Sequence, residues 1–130
     1  MPTATAVKIV DASAIAAMIF GEPNAPAVAA QVRGGVLVAP ALLPYELASV
    51  CLKKIKANPD QAAGLLTSFR LWAEMAINLV EIDHESVIDL AQSTGLTSYD
   101  ANYLWLARKL NGELVTRDAR LARAAAQPPH

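Results

Sequence analysis

Four short apolar runs, Val7–Val10, Val36–Val38, Leu79–Ile82 and Glu113–Thr116, punctuate a chain whose intervening stretches carry helical patterns. The runs are too short to be helices, are largely branched, and are bounded by polar or turn residues, as in buried strands. Strands alternating with helices restrict the chain to the α/β class. We expect an α/β/α sandwich around a mostly parallel central sheet. With 130 residues, 54% of them hydrophobic, residues 1–130 suffice for a single domain with one core.

The helices are read from spacing and breakers. Ser13 to Phe20 is stopped by Gly21 and Pro23-Asn24, and Pro26 to Arg33 by Gly34-Gly35. Pro44 suits the first turn of a helix to Ala57, with Leu43, Leu47, Val50, Cys51 and Ile55 as its apolar stripe. Gln61 to Ala76 reads as one helix burying Leu65, Leu66, Phe69, Trp72 and Ala76. Glu85 to Ser93, Tyr99 to Leu110 and Asp118 to Ala126 complete the set. Residues 1–5 and 127–130 are expected to fray.

Against this frame four acids stand out: Asp11, Glu46, Asp100 and Asp118. Asp11 and Asp118 follow apolar runs, where open α/β sheets place their ligands. Asp100 shares a helix face with Tyr103, Leu104 and Ala107, and Glu46 flanks the stripe of its own helix. Each has an ordinary structural role open to it: Asp11 and Asp118 as helix caps, Asp100 in a capping box with Thr97, and Glu46 as a common helix-flanking charge. Together they point to one acidic site. Two such charges about 4 Å apart repel by roughly 4 kcal/mol at an effective dielectric near 20. A hard divalent cation, Mg²⁺ or Mn²⁺, removes that repulsion and suits oxygen-only ligands. Removing one carboxylate is then expected to leave the metal-free protein equally stable or slightly more so.

Other chemistries lack their residues. Neither G-x-G-x-x-G nor G-x-x-x-x-G-K-[ST] occurs, and His84 and His130 are the only histidines. Cys51 is alone, which excludes an internal disulfide and fits a reducing cytoplasm as a small buried hydrophobe. No apolar run is long enough to span a bilayer, and no basic-then-apolar leader opens the sequence, so secretion is not expected. The net charge of −1 hides an asymmetry: 12 acids less these four leave 8 against 11 basic residues. Arg108, Lys109, Arg117, Arg120 and Arg123 cluster late in the chain and suit a phosphate backbone or a solvated helix face.

The segments Ile9-Val10-Asp11-Ala12-Ser13, Pro44-Tyr45-Glu46-Leu47, Tyr99-Asp100-Ala101-Asn102-Tyr103-Leu104-Trp105-Leu106-Ala107 and Leu114-Val115-Thr116-Arg117-Asp118-Ala119-Arg120-Leu121 resemble the PIN-domain nucleases, most closely the VapC-type toxins of bacterial toxin–antitoxin pairs. Their order and separation match over nearly the whole chain, although the glutamate segment is the least specific. The resemblance implies a PIN-like fold and assigns Asp11, Glu46, Asp100 and Asp118 to a catalytic metal site supported by Ser13 and Thr116. It implies a cytoplasmic Mg²⁺- or Mn²⁺-dependent endoribonuclease restrained by a small cognate antitoxin; the clustered carboxylates suit an Arg, ahead of a Lys, presented by that partner. RNA is the implied substrate, with Arg117 and Arg120 as candidates for backbone contacts. A housekeeping nuclease, a silent PIN-like binding module and a phospho-acceptor receiver domain are the alternatives. The last normally wants an acidic neighbour of Asp11 and a late lysine where Arg117 stands. Trp105 and Leu106 lie opposite Asp100, so they are expected to meet either another layer of the fold or a second copy in a homodimer.

Overall fold

Val7–Val10 (β1) lies inside the sheet of the structure, a computed structural model that describes residues 5–128. The chain continues through α1 (Ala12–Ile19), α2 (Ala25–Val32), β2 (Val36–Pro40), α3 (Leu43–Ala57) and α4 (Ala62–Arg70). It then forms β3 (Asn78–Val80), α5 (His84–Thr94), α6 (Ser98–Leu110), β4 (Glu113–Val115) and α7 (Ala119–Ala126). Among the described residues the sheet has the order β3-β2-β1-β4, and every pairing in it is parallel. Successive strands step outward from β1 to β3, and the chain then returns to place β4 on the other side of β1. The order therefore reverses beside β1, at the kind of crevice where open α/β sheets bind ligands.

Adjacent residues of β1 point to opposite faces, and this divides the core into two layers. Ile9 faces the layer built from α5, α6 and α7, with Val38, Leu104 and Leu121. Val10 faces the layer containing α1, α2 and α3, with Ala39, Val115, Leu43 and Leu47. Both faces are covered, which is why the strands read as continuous apolar runs rather than alternating ones. Full burial of a Leu such as Leu43 or Leu47 contributes about 1.5–3 kcal/mol relative to exposure. Asn111 ends α6 in the left-handed conformation, at φ 51°. Gly112 follows, and a Cβ there would come within 3.1 Å of the Val7 carbonyl oxygen, so β4 can start tight against β1.

Two readings of the sequence need correction. The segment Gln61 to Ala76 is not one helix: Gln61 closes a 3₁₀ turn at Pro59–Gln61, α4 ends at Arg70, and another 3₁₀ turn, Leu71–Glu74, follows it. Ala76 then adopts φ 54°, which ends any helical continuation and leaves its side chain exposed. The outer face of α6 is also occupied within the chain. Leu106 is only 2% exposed, and α5 and α7 pack on α6 while its other side meets the sheet. Leu106 is unavailable to a second copy, and the homodimer expectation loses that part of its basis. Of the ends expected to fray, residues 1–4, 129 and 130 lie outside the described residues.

Candidate active site

Asp11 leaves the C-terminal end of β1 and is 5% exposed. Such a buried carboxylate needs donors, and the fold supplies three. Its Oδ1 accepts from the Ala14 backbone N–H at 2.9 Å, which caps α1, and from the Ser13 hydroxyl at 2.7 Å. Its Oδ2 accepts from the Thr116 hydroxyl. Each hydroxyl has one proton, and both are directed to Asp11, so the 3.3 Å Ser13–Thr116 contact is a neighbour approach only. Ser13 Oγ in turn accepts from the Arg117 N–H at 2.8 Å, and Thr116 Oγ1 from the Asp118 N–H at 3.0 Å. These contacts tie the end of β4 to the end of β1. Ser13 and Thr116 thus both donate to Asp11, one to each carboxylate oxygen.

Glu46 arrives from the first turn of α3 and is half-buried. Its Oε1 accepts a 2.5 Å hydrogen bond from the hydroxyl of Tyr103. Tyr103 is 1% exposed, and burial together with the Glu46 charge pushes its phenol far above the usual range, so it remains a donor. Sequence reasoning took Tyr103 as core alone. The available signal was its position one turn after Asp100: a Tyr on a buried face needs a partner for its hydroxyl. Asp100 sits in the first turn of α6, whose cap is Thr97, and Asp118 caps α7 by accepting from the Leu121 N–H at 2.9 Å.

Asp11 and Asp118 follow the neighbouring strands β1 and β4, and charge effects link Asp100 and Glu46 to that end of the sheet. Burial raises the pKa of Asp11, and the charge of Asp118 raises it further against the lowering hydrogen bonds. Burial also raises Glu46, helped by Asp100 and Asp11 and opposed by Tyr103. Asp100 is raised by burial, then by Asp118 and Asp11, with Arg120 acting in the other direction. Asp11 and Asp100 thus feel each other and both flanking acids. Among the described residues, no three His, Cys, Asp or Glu side chains are gathered tightly enough to form a ready-made metal cage. The donors nonetheless fit Mg²⁺, which keeps several waters and commonly takes only one or two protein carboxylates.

The two basic candidates differ. With the Asn24 amide turned so that its oxygen faces Arg117, the Arg117 guanidinium donates to it at 2.7 and 3.1 Å. This contact joins the loop before α2 to the loop before α7, and nothing in the sequence paired the two residues. Arg120 remains exposed, with one long contact of 3.4 Å to the Gly95 carbonyl.

Comparison with known proteins places these features in context. A family model described as "PIN domain" matches residues 8–127, which include all four acids. Ribonuclease VapC3 of Pyrobaculum aerophilum is 35% identical over 121 residues, covering 88% of this chain and 91% of that protein. The crystal structure of PAE2754, also from Pyrobaculum aerophilum, superposes with a TM-score of 0.76 at 24% identity. That match covers 93% of this chain and 86% of the other, and it shows a shared fold.

Proposed function

The chain belongs to the PIN-domain family, and on that premise we propose that it is a Mg²⁺- or Mn²⁺-dependent endoribonuclease acting in the cytoplasm as the toxin of a toxin–antitoxin pair. The observation that carries this reading is the convergence of Asp11, Glu46, Asp100 and Asp118 on the crevice beside β1. The likeness to a protein named ribonuclease VapC3, across most of both chains, supports RNA as substrate and the toxin role.

Among Asp11, Glu46, Asp100 and Asp118, one or two carboxylates would bind the cation directly and the others through its waters; the cation would supply an activated water and neutralise charge developing on the phosphate. Ser13, Thr116 and the Ala14 N–H fix both oxygens of Asp11, so that carboxylate is set before any ligand arrives. The buried Tyr103 hydroxyl fixes Glu46 in the same way. Arg120, whose charge reaches Asp100, would meet a phosphate oxygen of the RNA. Water as nucleophile requires no 2′-hydroxyl attack, and cleavage would leave a 5′-phosphate and a 3′-hydroxyl. In the absence of RNA, the same negative crevice suits an Arg from a small antitoxin, since guanidinium stays charged and engages carboxylates bidentately.

Purified protein is expected to cleave single-stranded RNA with Mg²⁺, to stop with EDTA, and to yield 5′-phosphate ends. Expression alone should slow growth, and co-expression of a small protein encoded beside it should restore growth. Cleavage without any effect on growth would replace the toxin with a housekeeping nuclease.

Tyr103→Phe tests how Glu46 is held. The hydrogen bond lowers the Glu46 pKa, so its loss should move the acidic limb of the cleavage profile to higher pH. Activity should fall about 10-fold or more, as for other partners that orient metal ligands. An unmoved pH profile in a folded variant would show that Tyr103 serves packing only.

A further inference from the structure

A cleft of about 500 Å³ opens between α7, the later part of α6 and the end of α5. Arg108, Arg120 and Arg123 line it together with Gln127, and among the described residues no Asp or Glu does. The hydroxyls of Ser93 and Thr94 on its wall are turned to the Leu90 carbonyl, so the guanidiniums are its charged donors. Among the described residues the ion pairs join Lys8 to Glu113 and Lys54 to Glu22, so these three arginines have no carboxylate partner. Three like charges facing one concavity repel unless an anion enters it. The cleft also adjoins the acidic crevice: Arg120 lines the cleft, stands two residues beyond Asp118, and its charge reaches Asp100.

We propose that Arg108, Arg120 and Arg123 form a second subsite that grips the phosphate backbone of the RNA strand to one side of the cleavage position. This rests on the nuclease reading above and extends it from the reacting phosphate to its neighbours. Charge complementarity selects the occupant. Separate guanidiniums from two helices match a repeating row of phosphates better than one small anion, and a backbone grip carries no base sequence. The subsite therefore contributes to binding, while the acids carry the chemistry.

The test is the double variant Arg108→Ala/Arg123→Ala, which leaves Arg120 beside the acids intact. The charge-preserving Arg108→Lys/Arg123→Lys serves as rescue, and circular dichroism confirms folding of both. With an unstructured oligoribonucleotide and Mg²⁺, the alanine variant should show KM raised about tenfold with kcat little changed, and lysine should restore most of it. The slope of log affinity against log salt should become shallower by about 1.4, for two lost phosphate contacts at about 0.7 each on a single strand. If wild type cleaves RNA and the alanine variant keeps its KM and salt slope, this subsite is overturned and the nuclease reading stands. If the variant cleaves normally but loses binding to poly-glutamate, the cleft belongs to an acidic protein segment, and the RNA assignment is overturned. Failure of wild type to cleave RNA overturns the nuclease reading itself.

Discussion

Replacing Asp100 with Asn is expected to reduce RNA cleavage by at least about 100-fold, beyond the 10–100-fold typical of groups that only orient a metal ligand. The same change should leave the metal-free protein as stable as before or slightly more so. Asp100 is half-buried among Asp118, Asp11 and Glu46, and removing one charge relieves repulsion on the others. Asp11→Asn should be as damaging to activity but not neutral to the fold. Asp11 accepts from Ala14, Ser13 and Thr116 while capping α1. An amide nitrogen facing Thr116 would present a donor to a hydroxyl that already donates, so that hydroxyl must turn. The structure thus narrows the sequence expectation: relief without cost applies to Asp100, whereas at Asp11 it competes with lost hydrogen bonds. Urea denaturation of both variants beside the cleavage assay separates the effects. A large loss of stability in Asp100→Asn would identify that residue as a structural cap.

Adding Mg²⁺ at neutral pH should raise the melting temperature by roughly 10 °C. A ligand at 100 times its Kd stabilises by about 2.7 kcal/mol. For a domain of this size each kcal/mol moves Tm by roughly 3–5 °C. The pH dependence has a definite sign. Asp11, Glu46 and Asp100 have folded pKa values raised above their ordinary 3.8, 4.5 and 3.8, so the folded protein holds protons more tightly than the unfolded chain. Ionisation of these groups therefore weakens the metal-free fold at neutral pH. That penalty is relieved as pH falls through the raised values toward the ordinary carboxylate range. Across the same window protons compete with the cation, and the gain from Mg²⁺ should shrink. Thermal melts from pH 7 to pH 4, with Mg²⁺ and with EDTA, should converge at the acidic end. Parallel curves would place any bound metal away from these carboxylates.

Much of this was legible in the chain because both sheet faces are covered. Double coverage makes each strand a dense apolar run, so β1, β2 and β4 could be found, and Asp11 and Asp118 stood out as polar residues just beyond two of them. The α6 stripe of Tyr103, Leu104 and Ala107 gave the direction of Asp100. Helix periodicity could not reveal that α6 is wrapped on its far side as well, which is why Leu106 looked available to another chain. The break around α4 was hidden because Leu71, Trp72 and Glu74 are compatible with a continuing helix, and the backbone alone shows the change, in the 3₁₀ turn at Leu71–Glu74 and the positive φ of Ala76. Pairings such as Tyr103 with Glu46 join residues far apart in sequence. They depend on how α3 and α6 approach at the sheet end, which no local pattern encodes.

The most direct measurement is a calorimetric titration of the protein with Mn²⁺. Wild type should bind, Asp11→Asn and Asp100→Asn should each weaken binding at least about tenfold, and Asp83→Asn, at the exposed cap of α5, should bind as wild type does. If both site variants bind Mn²⁺ as tightly as wild type, the four acids do not share a cation and the account fails.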